Sequence, residues 1–329
     1  MERTDFASIV PKVKVWETRL LNKSFYDKLI DLNTLEDAIK ALQETNYGED
    51  IKELNFELSL DSSYKSVCEN LDKTMKHTEV IKFVRLKNDY NNIKTLIKSK
   101  ILDKDFSYIL SRNGTVDLEI LNVAFENDNY GELHILMNEC VIESFNSYAI
   151  NKDTQKIDII VDRYMYRHMK EIISNMGSDF MSNYIDMVID LTNLKTTLRI
   201  KKMKKDKAFL KEVLLENGKL SLDFFIDILN TSIEDIPSKF IRTSYNKLVS
   251  ESIIEYLKSN SLSGLEINID NYIMNFVRDA KFISMGVEPV FAYLYARETE
   301  NKNLRIVLAG KLNKVDSSII KERLRDNYV

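Results

Sequence analysis

Chain breakers are scarce in this sequence. Its 329 residues include only 8 glycines and 3 prolines. Sheets and nucleotide-binding α/β folds need many turns marked by Gly, Pro or Asn. Their shortage predicts an all-α chain of long helices. Cysteine is almost as rare: Cys68 and Cys140 lie far apart and form no CxxC pair. This argues against a disulfide framework and fits a reducing compartment. No stretch of about 18 uncharged apolar residues occurs, so no membrane span is expected. The opening "MERTDFASIVPKVKVWETRL" has no apolar signal-peptide core. The sequons at Asn22, Asn113 and Asn230 therefore carry no expectation of glycosylation.

Catalytic signatures are missing too. There is no phosphate-loop signature, no GxGxxG turn and no GxSxG elbow. The three histidines, His77, His134 and His168, have neither a second His nor a Cys at a zinc spacing. Each is read as a structural or surface histidine, because no nucleophile or ligand accompanies it. The carboxylates lie scattered at ordinary helix-surface spacing. The expectation is no catalytic residue, no cofactor, no metal and no small-molecule substrate. The formal net charge of −4 gives no global attraction to nucleic acid. The basic run "KKMKKDK" (201–207) reads as a solvated helix end, where the macrodipole favours cations.

What the sequence does contain is 44% hydrophobic residues, enough for a sizeable core, and helical periodicity. Leu86, Tyr90, Ile93 and Ile97 share one helical face. Met187, Leu191, Leu194 and Leu198 repeat that spacing 101 residues later. The polar residues repeat with them. Asp89-x-x-Asn92-Ile93-Lys94-x-x-Ile97-x-x-Lys100 matches Asp190-x-x-Asn193-Leu194-Lys195-x-x-Leu198-x-x-Lys201. A third copy reads Glu300-x-x-Asn303-Leu304-Arg305-x-x-Leu308-x-x-Lys311, 110 residues after the second. Three matches dividing the chain into thirds predict a triplicated module, with boundaries at 1–112, 113–216 and 217–329. Asn is a poor helix former, so its threefold use predicts that each amide bonds a neighbouring helix or loop.

The flanks extend the pattern. "VDRYMYRHM" and "IDNYIMNFV" precede the second and third copies and share Asp162/Asp270 and Tyr164/Tyr272. Asn113-Gly114 and Asn217-Gly218 follow the first two copies and read as turns entered at positive φ. Pro289 suits the start of the third helix, with no further breaker before Gly310. This copy departs from its siblings in its upper half. Arg297 and Asn301 stand where the others carry Leu86/Met187 and Tyr90/Leu191. The turn of Arg297, Glu298 and Asn301 is therefore the candidate partner contact.

The stretch "GVEPVFAYLYARETENKNLRIVLAGKLNKVDSSIIKERLRDNYV" resembles the C-terminal signature of the C subunit of prokaryotic V-type/A-type ATPases, the counterpart of the d subunit of eukaryotic V-ATPases. Gly286, Glu288, Pro289, Tyr293, Glu298, Glu300, Asn303, Arg305, Gly310, Lys311, Leu324 and Tyr328 carry the likeness. Arg19, Leu20, Leu21, Leu42, Thr45 and Tyr47 fit that family's opening, although the family prefers a small or aromatic residue just before the first Arg and this chain reads "VWETR" there. The resemblance implies an all-helical funnel of three modules around a pseudo-threefold axis. It also implies a non-catalytic socket between the central-stalk rotor subunits and the membrane proteolipid ring. Such a socket transmits torque between ATP hydrolysis or synthesis and H⁺ or Na⁺ translocation. The expected place is the cytoplasmic face of the membrane, as a peripheral part of the complex. A cytosolic helical scaffold is the alternative. Its mark would be a repeat of roughly 30–45 residues, rather than one near 100.

Overall fold

The computed structural model describes residues 2–48, 51–52 and 55–329. Among them are sixteen α-helices and no strand. The first four are α1 (Val10–Glu17), α2 (Lys23–Asp31), α3 (Leu35–Gln43) and α4 (Phe56–Thr74). There follow α5 (Glu79–Leu102), α6 (Leu118–Glu126), α7 (Ile135–Asn151) and α8 (Thr154–Met176). Next come α9 (Asp179–Lys202), α10 (Lys207–Val213), α11 (Leu222–Asn230) and α12 (Ile236–Lys239). The last are α13 (Asn246–Ser259), α14 (Ser263–Arg278), α15 (Glu288–Leu312) and α16 (Ser317–Glu322). The three repeat copies lie on α5, α9 and α15.

Local chemistry accounts for the helix ends. All three prolines stand in a first turn, at the starts of α1, α12 and α15, where the missing N–H costs no bond. Asn22, Thr34, Asp117, Asp153, Asp206 and Asp316 cap helices by accepting a bond from a first-turn N–H. Gly177 closes α8 in the left-handed conformation. Gly310 does not end α15, which runs on to Leu312. A Cβ at Gly310 would collide with Ile320, so this glycine admits α16 against the helix.

The chain divides into two compact units. The first comprises Met1–Thr78, Thr197–Met203 and Asp223–Val329. The second comprises Glu79–Thr196 and Lys204–Leu222. In the first unit, Leu304, Val307 and Leu308 of α15 sit in a core with Leu29, Leu42, Leu60 and Ile320. Helices from the two ends of the sequence thus share one core. In the second unit α5 packs on α7 and α8, and Tyr90, Ile93, Ile97, Cys140 and Ile157 are buried there. Cys68 and Cys140 are both buried, and neither forms a disulfide. Among the described residues no helix is long and apolar enough to cross a membrane.

Candidate functional site

The repeated polar residues turn inward. Asp89, Asn92, Asp190, Asn193, Glu300 and Asn303 are all buried. Burying polar groups is costly unless they are bonded. Each set meets this demand in the same way.

The Asn of each copy exchanges two bonds with one backbone residue. Asn92 Nδ2 donates to the Ser111 carbonyl at 2.8 Å, and Ser111 N–H donates back to Oδ1 at 2.8 Å. Asn193 does the same with Leu215, at 2.8 and 2.8 Å. Asn303 does it with Arg325, at 2.9 and 2.9 Å. A side-chain amide matches a peptide group, so each Asn acts as one rung of a ladder to a loop.

The acid and the terminal Lys of each copy hold one further helix. Val116 N–H donates to Asp89 at 3.0 Å, Leu220 N–H to Asp190 at 3.0 Å, and Leu21 N–H to Glu300 at 2.6 Å. Each donor lies two residues before a nine-residue helix: α6, α11 and α2, respectively. Lys100 Nζ donates to Phe125 O at 2.7 Å, in the last turn of α6. Lys201 Nζ donates to Leu229 O at 2.7 Å, in the last turn of α11. Lys311 Nζ donates to Ile30 O and to Leu32 O, at the end of α2. The Lys therefore satisfies carbonyls that a helix end leaves bare, and it places positive charge at the negative dipole end. The lengths agree. Eleven residues of a long helix span roughly 16 Å, and a nine-residue helix spans roughly 13 Å.

In the first two copies the clamped helix follows its long helix in sequence. In the third, the clamped helix is α2, far upstream, where the order of the first two copies gives no reason to look. The available signal was Leu21 followed by the cap Asn22, which parallels Val116-Asp117 and Leu220-Ser221.

The segments around Gly114 and Gly218 turn as expected, but the two glycines meet a further demand. Neither has a positive φ, although Asn217 does, at 67°. A Cβ at either glycine would collide with the carboxylate of Asp89 or Asp190. Close approach of the acid, rather than turn geometry, requires these glycines. Two residues before Leu21 stands Arg19, and the acid of that copy is the longer Glu300.

The repeat bases point elsewhere. Lys94 pairs with Asp162 at 2.9 Å. Arg305 reaches Glu57 at 3.0 Å and also pairs with Asp61, both on α4. Lys195 is half-buried on α9.

The upper turn of the third copy is buried rather than presented to solvent. Arg297 and Asn301 are 4% and 3% exposed, while Glu298 is half-buried. Arg297 donates to Glu300 at 2.5 Å and to Ser63 Oγ at 2.9 Å, and its guanidinium lies over the Tyr47 ring. Asn301 donates to Leu60 O at 2.9 Å, and Tyr47 O–H donates to the Asn301 and Glu300 side chains, each at 2.9 Å. Burial, reinforced by the Glu300 charge, raises Tyr26 and Tyr47 well above the usual phenol range. Both therefore stay protonated and serve as donors. Burial raises Glu300 above the usual carboxylate range, and the Arg297 charge with the donors Leu21 and Tyr47 opposes that rise.

The basic run is partly engaged. Lys201 and Lys202 bond carbonyls at the ends of α11 and α13, whereas Lys204 and Lys205 are exposed. His134 and His168 stack with ring centroids 4.0 Å apart, and His168 Nδ1 meets the Tyr90 hydroxyl at 3.2 Å. Burial, with the neighbouring His134, lowers His168 from 6.5 to about 4. The folded chain therefore refuses a proton that the unfolded chain accepts below about pH 6.5. Stability from this group is complete above that pH and falls as pH drops toward 4. We expect a loss of about 2 kcal/mol between pH 7 and pH 5, absent from His168→Gln. Urea denaturation at the two pH values checks it; equal pH dependence in both proteins would contradict it. Among the described residues, no cluster of three or more His, Cys, Asp or Glu forms a metal site.

Comparison with known proteins gives this helical arrangement a context. Residues 9–323 match the family described as ATP synthase (C/AC39) subunit. The C subunit of the V-type sodium ATPase of Enterococcus hirae is 24% identical, over 98% of this chain and 99% of its own length. The C subunit of the A-type ATP synthase of Methanocaldococcus jannaschii is 23% identical, over 97% of this chain and 86% of its own. Its counterpart in the A-type ATP synthase of Pyrococcus abyssi is 23% identical, over 90% and 84%. The chain belongs to the ATP synthase C/AC39 subunit family, the non-catalytic subunits of rotary ATPases.

Proposed function

We propose that this chain is the socket of a V-type/A-type rotary ATPase. It receives the central-stalk rotor subunits on one side and sits on the membrane proteolipid ring on the other. It transmits torque between ATP hydrolysis or synthesis and H⁺ or Na⁺ translocation, at the cytoplasmic face of the membrane. In this reading residues 1–112, 113–216 and 217–329 form three similar modules around a pseudo-threefold axis, shaped as a funnel.

The observation that carries the proposal is the clamp made three times, by Asp89/Asn92/Lys100, Asp190/Asn193/Lys201 and Glu300/Asn303/Lys311. A torque-bearing joint needs its helices fixed at both ends, and the clamp does this with buried bonds rather than screened surface pairs. The third clamp ties the two ends of the sequence together, which suits a part loaded by rotation. The turn of Arg297, Glu298 and Asn301 then serves the stalk contact from beneath, since two of its three side chains are buried.

Affinity capture of the tagged chain from mildly solubilised native membranes tests the proposal. Ring and stalk subunits should be recovered together. Recovery of neither overturns the socket and favours the free-standing scaffold.

A further inference from the structure

The first unit contains a cleft of about 830 Å³ that the socket reading does not use. Trp16 and Tyr293 form part of its wall, and Arg19, Lys52 and Arg297 contribute the charge. Another wall is a single face of α4. Ser59, Ser62, Ser63, Ser66 and Asn70 follow one another at helical spacing and all line the cleft. The opposite face of α4 buries Phe56, Leu60, Tyr64, Cys68 and Leu71.

This composition is unusual for a solvated helix face. Where packing does not decide, exposed helical positions favour Lys, Glu, Gln and Ala. Ser and Asn compete with the helix for its own backbone bonds. Four hydroxyls along one face therefore cost helix stability, and they line the cleft.

Among the described residues that line the cleft, the charge is one-sided; Glu49, Asp50 and Glu53, which flank Lys52 in sequence, lie outside the described residues. Arg19 and Lys52 are exposed and form no ion pair among the described residues. No Asp or Glu lines the cleft among those residues. Arg297 is 4% exposed, and its Nε–H has no acceptor among the described residues. Leaving a buried guanidinium N–H unpaired is costly. Three cations from three separate stretches of the chain thus line one polar hollow, and among the described residues their one ion-pair partner is Glu300, beneath Arg297.

We propose that this cleft binds a phosphate-bearing small molecule with a planar ring, of the nucleoside di- or triphosphate class. The cations and serine hydroxyls take the phosphate oxygens, since guanidinium forks and hydroxyls match that geometry. The ring lies against Trp16 and Tyr293, whose own ring centroids are 5.7 Å apart at a tilt of 43°. The volume lies within the usual range for small-molecule sites, about 300–1,000 Å³. A peptide carboxylate carries one charge per group and leaves most of these donors unused; a polyphosphate uses them together.

Trp16 is the sole tryptophan, so its emission reports on this cleft alone. The full chain is titrated with ADP, pyrophosphate, adenosine and polyglutamate, with Trp16 excited selectively. ADP should change the emission saturably, pyrophosphate should compete with it, and adenosine alone should bind more weakly. The Arg19→Ala/Lys52→Ala variant alters only exposed side chains and should weaken ADP binding about tenfold or more. No saturable change with ADP overturns the proposal. So does equal ADP affinity in the variant, or tighter binding of polyglutamate than of ADP, which would make the cleft a docking surface for an acidic chain.

Discussion

Arg297→Met is expected to destabilise the first unit by about 3–5 kcal/mol, the usual cost of removing one partner from a buried ion pair. Arg297 and Glu300 are each about 5% exposed and lie 2.5 Å apart. Methionine keeps much of the volume but leaves the Glu300 carboxylate without a counter-charge. The effect spreads because Glu300 also accepts from Leu21 and Tyr47, which belong to the N-terminal segment. Losing the guanidinium thus loosens the tie between α15 and the elements before α4. Adding Glu300→Gln should return at least about 1 kcal/mol, since the amide oxygen still accepts from Leu21 and no charge is stranded. Urea denaturation of the single and double variants measures this. A cost below about 1 kcal/mol for Arg297→Met, or strict additivity with Glu300→Gln, would contradict the account.

Asn193→Leu should cost about 2–5 kcal/mol, because it strands the Leu215 N–H and carbonyl together, each worth about 1–3 kcal/mol when buried and unpaired. Both bonds of this pair are buried. Asn303→Leu strands the same groups of Arg325 in a less buried setting, so its cost should have the same sign and be smaller. Lys302→Ala is the control. Lys302 is half-exposed and pairs with Asp270, and such a pair is worth at most about 1 kcal/mol. Thermal melting should rank Asn193→Leu below Asn303→Leu, and both below Lys302→Ala. Equal midpoints for Asn303→Leu and Lys302→Ala would show that the amide rungs do not support the fold.

The sequence disclosed what depends on local periodicity and missed what depends on distant partners. Scarce breakers announced an all-helical chain, and Pro289 marked the start of α15 to within a residue. The acid, Asn and Lys of each copy were visible because their spacing lies within one helix. Their partners were not, since hydrogen bonds to Ser111, Leu215 and Arg325 join segments that no periodicity relates. Arg297 and Asn301 stood out only as a departure from the repeat and a candidate partner contact. Their burial depends on α4 and Tyr47, more than 230 residues away. Gly114 and Gly218 likewise read as turn residues, because a carboxylate arriving from a distant helix leaves no local trace.

Rotary coupling in the assembled enzyme tests the socket most directly. The complex is reconstituted in vesicles with and without this chain, and ATP hydrolysis and ion uptake are measured together. Without the chain, hydrolysis by the soluble head should persist while ATP-driven uptake disappears, and adding the chain back should restore uptake. Full ion uptake in its absence, or loss of hydrolysis in the isolated head, would contradict the account.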